Sequence, residues 1–330
     1  MLAIEKNKLK DLLEILAREY QVMVPAKTKD ASGFIPYEKT AEIMLEENTF
    51  CSPKQLFFPQ TEKMYAITAN RDSMEIVSAS VSNEKRLLFG VRSCDLKSLE
   101  CLDKVFLEKG YVDEFYKARR ENTAIIALNC TRTMPNCFCY AMDVDPQNGK
   151  GADIQAYQSA ELIGFEAVTE KGKKILETIK SLLSENEIQE PASLEFKLKA
   201  DAEGLSEKLK SMFDSLVWEE VSRKCLNCGA CSYTCPTCHC FDISQDTKGE
   251  TINKFRCWDS CMFGEYTMMA GGHNPRPGKK ERVRNRFLHK LNYFPERYGM
   301  LQCTGCGRCI GVCPVGMDIT SVMRMIKEAE

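Results

Sequence analysis

Two runs of cysteine in the C-terminal third of the chain have residue types and a spacing suited to metal chemistry. In each run three cysteines stand three residues apart, and a fourth follows four residues later, directly before proline. This spacing is typical of bacterial ferredoxins, where three thiolates of one run hold a [4Fe–4S] cluster and the fourth binds the cluster of the other run. The spacing therefore predicts two clusters, one held by Cys225, Cys228, Cys231 and Cys313, the other by Cys303, Cys306, Cys309 and Cys235.

A zinc site is the alternative for these runs. Structural zinc takes four ligands, usually as two pairs of cysteines, with two residues between the members of a pair. A third cysteine at the same interval has no role in such a site. The doubled spacing favours clusters.

Four more cysteines follow two predicted strands, 86–91 and 123–129. The carboxyl ends of strands in an open α/β sheet gather on one edge, where ligands bind. We therefore hypothesise a third cluster at this edge. The alternative is that these are buried hydrophobic thiols, because free cysteine is often buried. The candidate ligands are Cys94, Cys130, Cys137 and Cys139.

The remaining cysteines have irregular spacing. Four lie between the two runs and could hold a further cluster, act as redox thiols or simply pack near the first pair; they are Cys238, Cys240, Cys257 and Cys261. Cys51 and Cys101 resemble ordinary core or surface thiols. The cofactor prediction is thus at least two [4Fe–4S] clusters, with a third or more as hypotheses.

The segment 270–290 is strongly basic. Cations beside an anionic cluster offset its buried charge and raise its potential, and they also suit partner docking. A solvated helix face is the simpler alternative. Nucleic-acid binding is disfavoured because aromatic residues are sparse there and the net charge of the chain is -2. The cations are Arg276, Lys279, Lys280, Arg282, Arg284, Arg286 and Lys290.

The elements that position these residues predict an α+β chain. Alternating strand and helix patterns indicate an N-terminal α/β domain over residues 1–204, with an amphipathic helix at 1–20 and a hairpin at 153–169. Residues 205–330 are expected to form a mostly helical, ferredoxin-type domain that carries both clusters. A polar stretch at 184–204 serves as the boundary.

Composition limits the compartment and the cofactors. The 330 residues are 44% hydrophobic and 28% charged, the N-terminus has no signal-peptide pattern, and no apolar run approaches the ~18 residues of a membrane helix. We expect a cytoplasmic protein without a membrane partner. No glycine-rich dinucleotide motif lies between a strand and a helix, so a nicotinamide or flavin site is expected on a partner.

Joined motifs carry a family resemblance. FGVRSCDLKSL, NCFC, CLNCGACSYTCPTCHC and CTGCGRCIGVCP resemble the iron–sulfur subunit of anaerobic sulfite reductases and the beta subunit of cytoplasmic sulfhydrogenases, over most of residues 86–139 and 218–315. The resemblance implies a non-catalytic electron-transfer subunit in an anaerobic complex. Its partners would be a catalytic subunit of siroheme or NiFe type and a flavin- and NAD(P)H-binding subunit.

Two other functions stay open at this point. In one, the chain is itself a catalytic reductase of a sulfur compound and uses Cys238, Cys240 or Cys261 as a substrate thiol. In the other, it is a redox-sensing protein that binds nucleic acid, in which case its affinity for DNA would depend on salt.

Overall fold

The computed structural model describes residues 1–108, 110–189 and 193–329, and within them the chain forms twelve strands and twelve α-helices. The strands are β1 (Leu2–Glu5), β2 (Gln21–Lys27), β3 (Ser32–Pro36), β4 (Thr61–Ala69), β5 (Met74–Ser78), β6 (Arg86–Val91), β7 (Thr123–Leu128), β8 (Ile154–Gln158), β9 (Leu162–Ala167), β10 (Ser184–Glu185), β11 (Phe241–Lys248) and β12 (Thr251–Trp258).

The helices are short, and several form single turns around the cysteine runs. They are α1 (Leu9–Leu16), α2 (Lys54–Phe57), α3 (Ser93–Phe106), α4 (Glu114–Glu121), α5 (Glu170–Ile179), α6 (Leu205–Leu209), α7 (Val217–Ser222), α8 (Ala230–Tyr233), α9 (Lys279–Leu288), α10 (Phe294–Tyr298), α11 (Arg308–Gly311) and α12 (Ile319–Glu328). A π-helical turn, His289–Tyr293, joins α9 to α10.

An eight-stranded sheet forms the N-terminal half, in the order β10-β1-β9-β8-β7-β6-β2-β3. Its central strands β2, β6, β7 and β8 are parallel. Leu87 and Phe89 of β6 enter the core that includes α1 and α5, whereas Leu88 and Val91 enter the core that includes α3. Both faces of the sheet are therefore covered, which explains why β6 and β7 are continuous apolar runs.

A second sheet has the order β11-β12-β4-β5. Strands β4 and β5 come from the first third of the chain, whereas β11 and β12 come from the insert between the two cysteine runs. The sheet thus joins chain segments from both sides of residue 204. The division into two domains at that residue stays a prediction.

The C-terminal core surrounds the cysteine runs. Trp218, Phe287, Leu291 and Val322 pack there, and Phe138 from the loop after β7 joins them. The loop that carries Cys137 and Cys139 is therefore part of the same core as the two runs. Among the described residues, no helix combines the length and the apolar composition needed to cross a bilayer.

The α+β fold class is confirmed, and so are β6 and the hairpin β8–β9. One expectation was wrong in detail. The amphipathic stripe at 1–20 begins with the strand β1, which pairs with β9 and β10, and only Leu9–Leu16 is α-helical. The insert between the cysteine runs, within the part expected to be mostly helical, contains the strands β11 and β12 as well as α9 and α10, and β12 pairs with β4.

Candidate iron–sulfur sites

The first cysteine run opens onto a cavity. Cys225, Cys228 and Cys231 line it together with Cys313 from the second run, and its volume including the mouth is about 480 Å³. Cys228 is exposed, whereas the other three thiols are half-buried. The run and the distant Cys-Pro cysteine thus face one space, in the arrangement that the spacing predicts for the first cluster.

Backbone turns of the same kind shape both runs. Asn227 and Gly229 have left-handed φ angles of 53° and 74°, and the corresponding Gly305 and Gly307 have 62° and 75°. Such angles favour glycine or asparagine. The third cysteine of each run lies in one helical turn, which is α8 in the first run and α11 in the second. The repeat in sequence is a repeat in backbone conformation.

The second set of thiols is half-buried throughout, with no exposed member. Cys303, Cys306 and Cys309 keep some accessible surface, but burial raises the pKa of all three, that of Cys303 to about 11. Cys235 of the first run acts electrostatically on each of them. This set too combines three thiols of one run with the Cys-Pro cysteine of the other.

Two buried cations of the basic segment face these thiols. Arg286 is 5% exposed, lines the first cavity, and its Nε atom has no hydrogen-bond partner among the described residues. Burial lowers the pKa of this guanidinium, but the thiolates of Cys231 and Cys309 outweigh burial and raise it. Arg286 therefore lies between the two sets.

Lys290 serves the second set. It is 3% exposed and sits on the π-helical turn, a feature frequent at functional sites. Its Nζ lies 3.3 Å from the Sγ of Cys235 and 3.0 Å from the hydroxyl of Thr237. A buried ammonium needs such partners, and an anionic cluster would supply more. The chemistry of both surroundings fits a [4Fe–4S] group.

The third candidate set comes together at the sheet edge. Cys94 lies in the first turn of α3 and Cys130 lies just beyond β7. Burial raises the pKa of Cys94, of Cys137 to about 11 and of Cys139 to about 12. Asp95 adds to the rise at Cys94, and the thiol of Cys130 contributes to the rise at all three. The four thiols that follow the two strands are thus electrostatic neighbours.

The loop of the third set interlocks with the second run. The N–H of Phe138 donates to the carbonyl of Gly305 at 2.8 Å. A Cβ atom on Gly305 would lie 2.5 Å from the Cα of Cys139, and one on Gly307 would lie 2.3 Å from the carbonyl oxygen of Asn136. Both glycines are needed for this close approach.

A buried ion pair joins the same two regions. Arg308, between two cysteines of the second run, donates to both carboxylate oxygens of Asp95 at 2.7 and 3.0 Å, and its Nε donates to the carbonyl of Thr49 at 2.8 Å. Asp95 follows Cys94, so this bidentate pair lies between the second and third sets. Asp95 lies in the first turn of α3, whose N-cap is Arg92.

The fourth candidate set is brought together only in part. Hydrogen bonding between Cys235 and Cys238 lowers the pKa of the former and raises that of the latter. Cys240 pairs in the same way with Cys261, which lowers the pKa of Cys240 to about 6. Cys257 lies apart on β12, with its Sγ 3.9 Å from the carbonyl oxygen of Asp242.

No group of three or more histidine, cysteine, aspartate or glutamate side chains is placed to hold a single metal ion, as far as the described residues go. A cubane differs from one ion because each thiolate binds a different iron, so its ligands surround a larger body.

Comparison with known proteins agrees with this chemistry. Residues 224–317 match the family model described as a 4Fe-4S dicluster domain, so the chain carries two [4Fe–4S] clusters. The chain is 31% identical to sulfhydrogenase 2 subunit beta of Pyrococcus furiosus over 321 residues, 93% of this chain and 92% of that protein. No solved structure matches the chain. The chain therefore belongs to the family of sulfhydrogenase beta subunits and is an iron–sulfur electron-transfer subunit.

Proposed function

We propose that this chain passes single electrons between a catalytic subunit of hydrogenase or sulfite reductase type and a flavin- and NAD(P)H-binding subunit, in the cytoplasm of an anaerobic cell. The relative is one subunit of a sulfhydrogenase, which supports the presence of partner subunits. A flavin on one partner would convert two-electron hydride chemistry into single-electron steps. The chain itself would supply binding, burial and charge for its clusters.

The ligands we propose follow the crossed pattern of the two runs. Cys225, Cys228, Cys231 and Cys313 would hold the first cluster, and Cys303, Cys306, Cys309 and Cys235 the second. The shared cavity of the first set and the mutual electrostatic influence of the second set support this assignment. Arg286 and Lys290 would offset the negative charge of the thiolates.

We also propose a third cluster on Cys94, Cys130, Cys137 and Cys139. The four thiols are neighbours at one sheet edge, and the same protein segment that carries Cys137 and Cys139 is hydrogen-bonded to the second run. A cluster at this place would extend the pair into a line of three.

The single observation that carries the proposed function is the spatial order in which the three sets of thiols follow one another. The first set reaches solvent at Cys228. The second set has no exposed thiol and shares Arg286 with the first. The third set is fastened to the second through Gly305 and through the ion pair of Arg308. Such an order provides one route through the protein with two separate ends, which suits a relay between two partners.

The test uses the whole complex with Cys306→Ser. Loss of a ligand from the middle of the route should abolish NAD(P)H-driven turnover and spare the reduction of the partner flavin. Cys51→Ser is the matched control, because Cys51 belongs to none of the sets. Full NAD(P)H-driven turnover by the Cys306→Ser complex would contradict the relay.

A further inference from the structure

The basic segment divides into an inward and an outward part. Arg286 and Lys290 face the thiols. Two outward cations are neutralised locally, since Lys280 pairs with Glu219 at 3.3 Å and Arg284 lies 3.7 Å from Asp214. Three cations of the segment remain, and together with two that directly precede Cys225 we call them the basic rim. They are Arg276, Lys279 and Arg282 of the segment, and Arg223 and Lys224 before Cys225.

Hydrogen bonds join four residues of the basic rim in two pairs. Lys279 Nζ donates to the carbonyl of Arg223 at 2.7 Å. Arg282 donates to the carbonyl of Arg276 at 3.0 Å. With the amide of Asn227 oriented so that its oxygen faces the guanidinium, Arg282 also donates to that oxygen at 2.7 and 2.9 Å. Because Asn227 precedes Cys228, the basic rim stands at the mouth of the first cavity.

The charges of the basic rim are not neutralised by carboxylates. None of its five side chains forms an ion pair with a carboxylate in the part of the chain that the structure describes. Arg223, Lys224 and Lys279 are exposed, and Arg276 and Arg282 are half-buried. A local excess of positive charge therefore occurs at one place on a chain whose net charge is -2. Such a patch steers and orients an anionic partner.

An apolar side chain lies beside the basic rim. Leu226 is 65% exposed, lines the first cavity, and stands between the ligand candidates Cys225 and Cys228. An apolar centre with a charged margin is the usual composition of a protein–protein interface. A nucleic-acid backbone would pair with the cations but would leave Leu226 without an apolar partner.

We propose that the basic rim docks a one-electron carrier protein through an acidic face on that carrier. The proposal rests on the relay function, because it makes the first set the end at which electrons are exchanged. In the exchange, the carrier loses one electron and this chain gains one, with no bond made or broken and no proton moved. The exposure of Cys228 would bring the carrier close to the first cluster.

The test compares two double variants of equal charge change in the anaerobic, cluster-loaded protein. Arg223→Glu/Lys224→Glu reverses two charges of the basic rim. Arg18→Glu/Lys174→Glu is the control; both residues are exposed and lie at α1 and on α5, which pack against each other in the other half of the molecule. The probe is a small acidic ferredoxin. The readouts are zero-length carbodiimide cross-links, mapped by mass spectrometry, and the second-order rate of electron exchange at low and high salt.

We expect cross-links from the carboxylates of the ferredoxin to Lys224 or Lys279 in the unaltered chain, and an exchange rate that falls with salt. The rim variant should lose the cross-links to Lys279 and exchange electrons roughly tenfold more slowly or worse, while the control keeps both. Equal behaviour of the two variants would overturn the docking surface and leave the relay intact.

Two further outcomes are decisive. If the unaltered chain binds a random-sequence DNA duplex and the rim variant does not, the surface belongs to nucleic acid and the proposal is wrong. If the unaltered chain exchanges no electrons with the ferredoxin although its clusters give normal EPR signals, the docking proposal is wrong, whereas NAD(P)H-driven turnover of the complex still decides the relay function.

Discussion

The two cysteine runs share one spacing and one backbone conformation, yet they meet solvent in different ways. The first set has an open cavity and an exposed ligand candidate, Cys228. In the second set, burial raises the pKa of Cys303, Cys306 and Cys309. The difference comes from what covers each run. The loop before Cys139 packs on the second run, whereas the corresponding turn of the first run packs on Phe263 and leaves Cys228 uncovered.

The difference shows how the surrounding chain gives two copies of one motif different positions in a relay. Identical ligand spacing supplies two equivalent sites, and the surrounding chain makes one of them an exposed end and the other an interior station. Exposure, hydrogen bonding and nearby charge also tune cluster potentials. Substitutions that act on one set of thiols and spare the other separate the properties of the two sites.

The largest effect is expected from removal of a ligand thiol. Cys309→Ala should cost the second cluster, about four irons per chain, because the space around the second set gives water little access as a replacement ligand. Cys228→Ala, at the open site, should keep most of the iron of the first cluster. The measurement is iron per chain after anaerobic isolation. Equal losses from the two variants would show that the two sets do not differ in access.

The next effect concerns the interlocked loops. Gly305→Ala introduces a Cβ 2.5 Å from the backbone of Cys139 at a φ of 62°, so the second and third sets should separate and iron should be lost from both. Gly316→Ala is the matched control, since φ there is 64° and nothing lies within 4 Å of the added atom. If both variants keep the same iron content and EPR signals, the close approach does not hold the second and third sets together.

A smaller effect is expected at the ion pair between Arg308 and Asp95. Removal of one partner leaves a buried, uncompensated charge and costs about 3–5 kcal/mol in the free energy of unfolding. Asp95→Leu and Arg308→Met should each lower the thermal midpoint of the cluster-loaded protein. The double variant should regain most of the loss, because an apolar replacement of both partners is often neutral. A double variant as unstable as the sum of the single ones would refute this role.

The smallest effect is expected from the shared cation. Arg286→Met removes a buried positive charge beside both sets and should lower both cluster potentials by on the order of tens of millivolts. Arg284→Met, on the same helix, is the control, because the guanidinium of Arg284 lies 3.6 Å from the ring centroid of Phe213 and faces away from the thiols. Potentiometric titration followed by EPR measures both. Unchanged potentials in Arg286→Met would show that Arg286 does not tune the clusters.

Much of the fold was predictable because the signals were local. The apolar runs of β6 and β7 and the turn between β8 and β9 indicated their own structure. The strands β11 and β12, inside the part expected to be mostly helical, were not predicted, and the reason is physical. Strands β11 and β12 have mostly partly exposed residues and depend on pairing with β4, almost two hundred residues earlier, and no local pattern reports such a partner.

The candidate sites were likewise predictable only in those parts that a local sequence pattern indicates. Regular spacing indicated the eight cysteines of the two runs, and strand order indicated why Cys94 and Cys130 should meet. The roles of Arg286, Lys290 and Arg308 were hidden, because a sequence does not tell which cations of a basic stretch face inward. Arg308 did carry one signal, its place between Cys306 and Cys309. The irregular spacing of Cys257 was also informative, since it lies apart from the other three.

The protein is proposed to hold three clusters in a line with one exposed end. The content of iron and acid-labile sulfide per chain in anaerobically isolated protein tests this most directly. Three [4Fe–4S] clusters predict about 12 irons and about 12 sulfides. About 8 of each would contradict the third site, on Cys94, Cys130, Cys137 and Cys139. About 16 of each would contradict the separation of Cys257 from Cys238, Cys240 and Cys261.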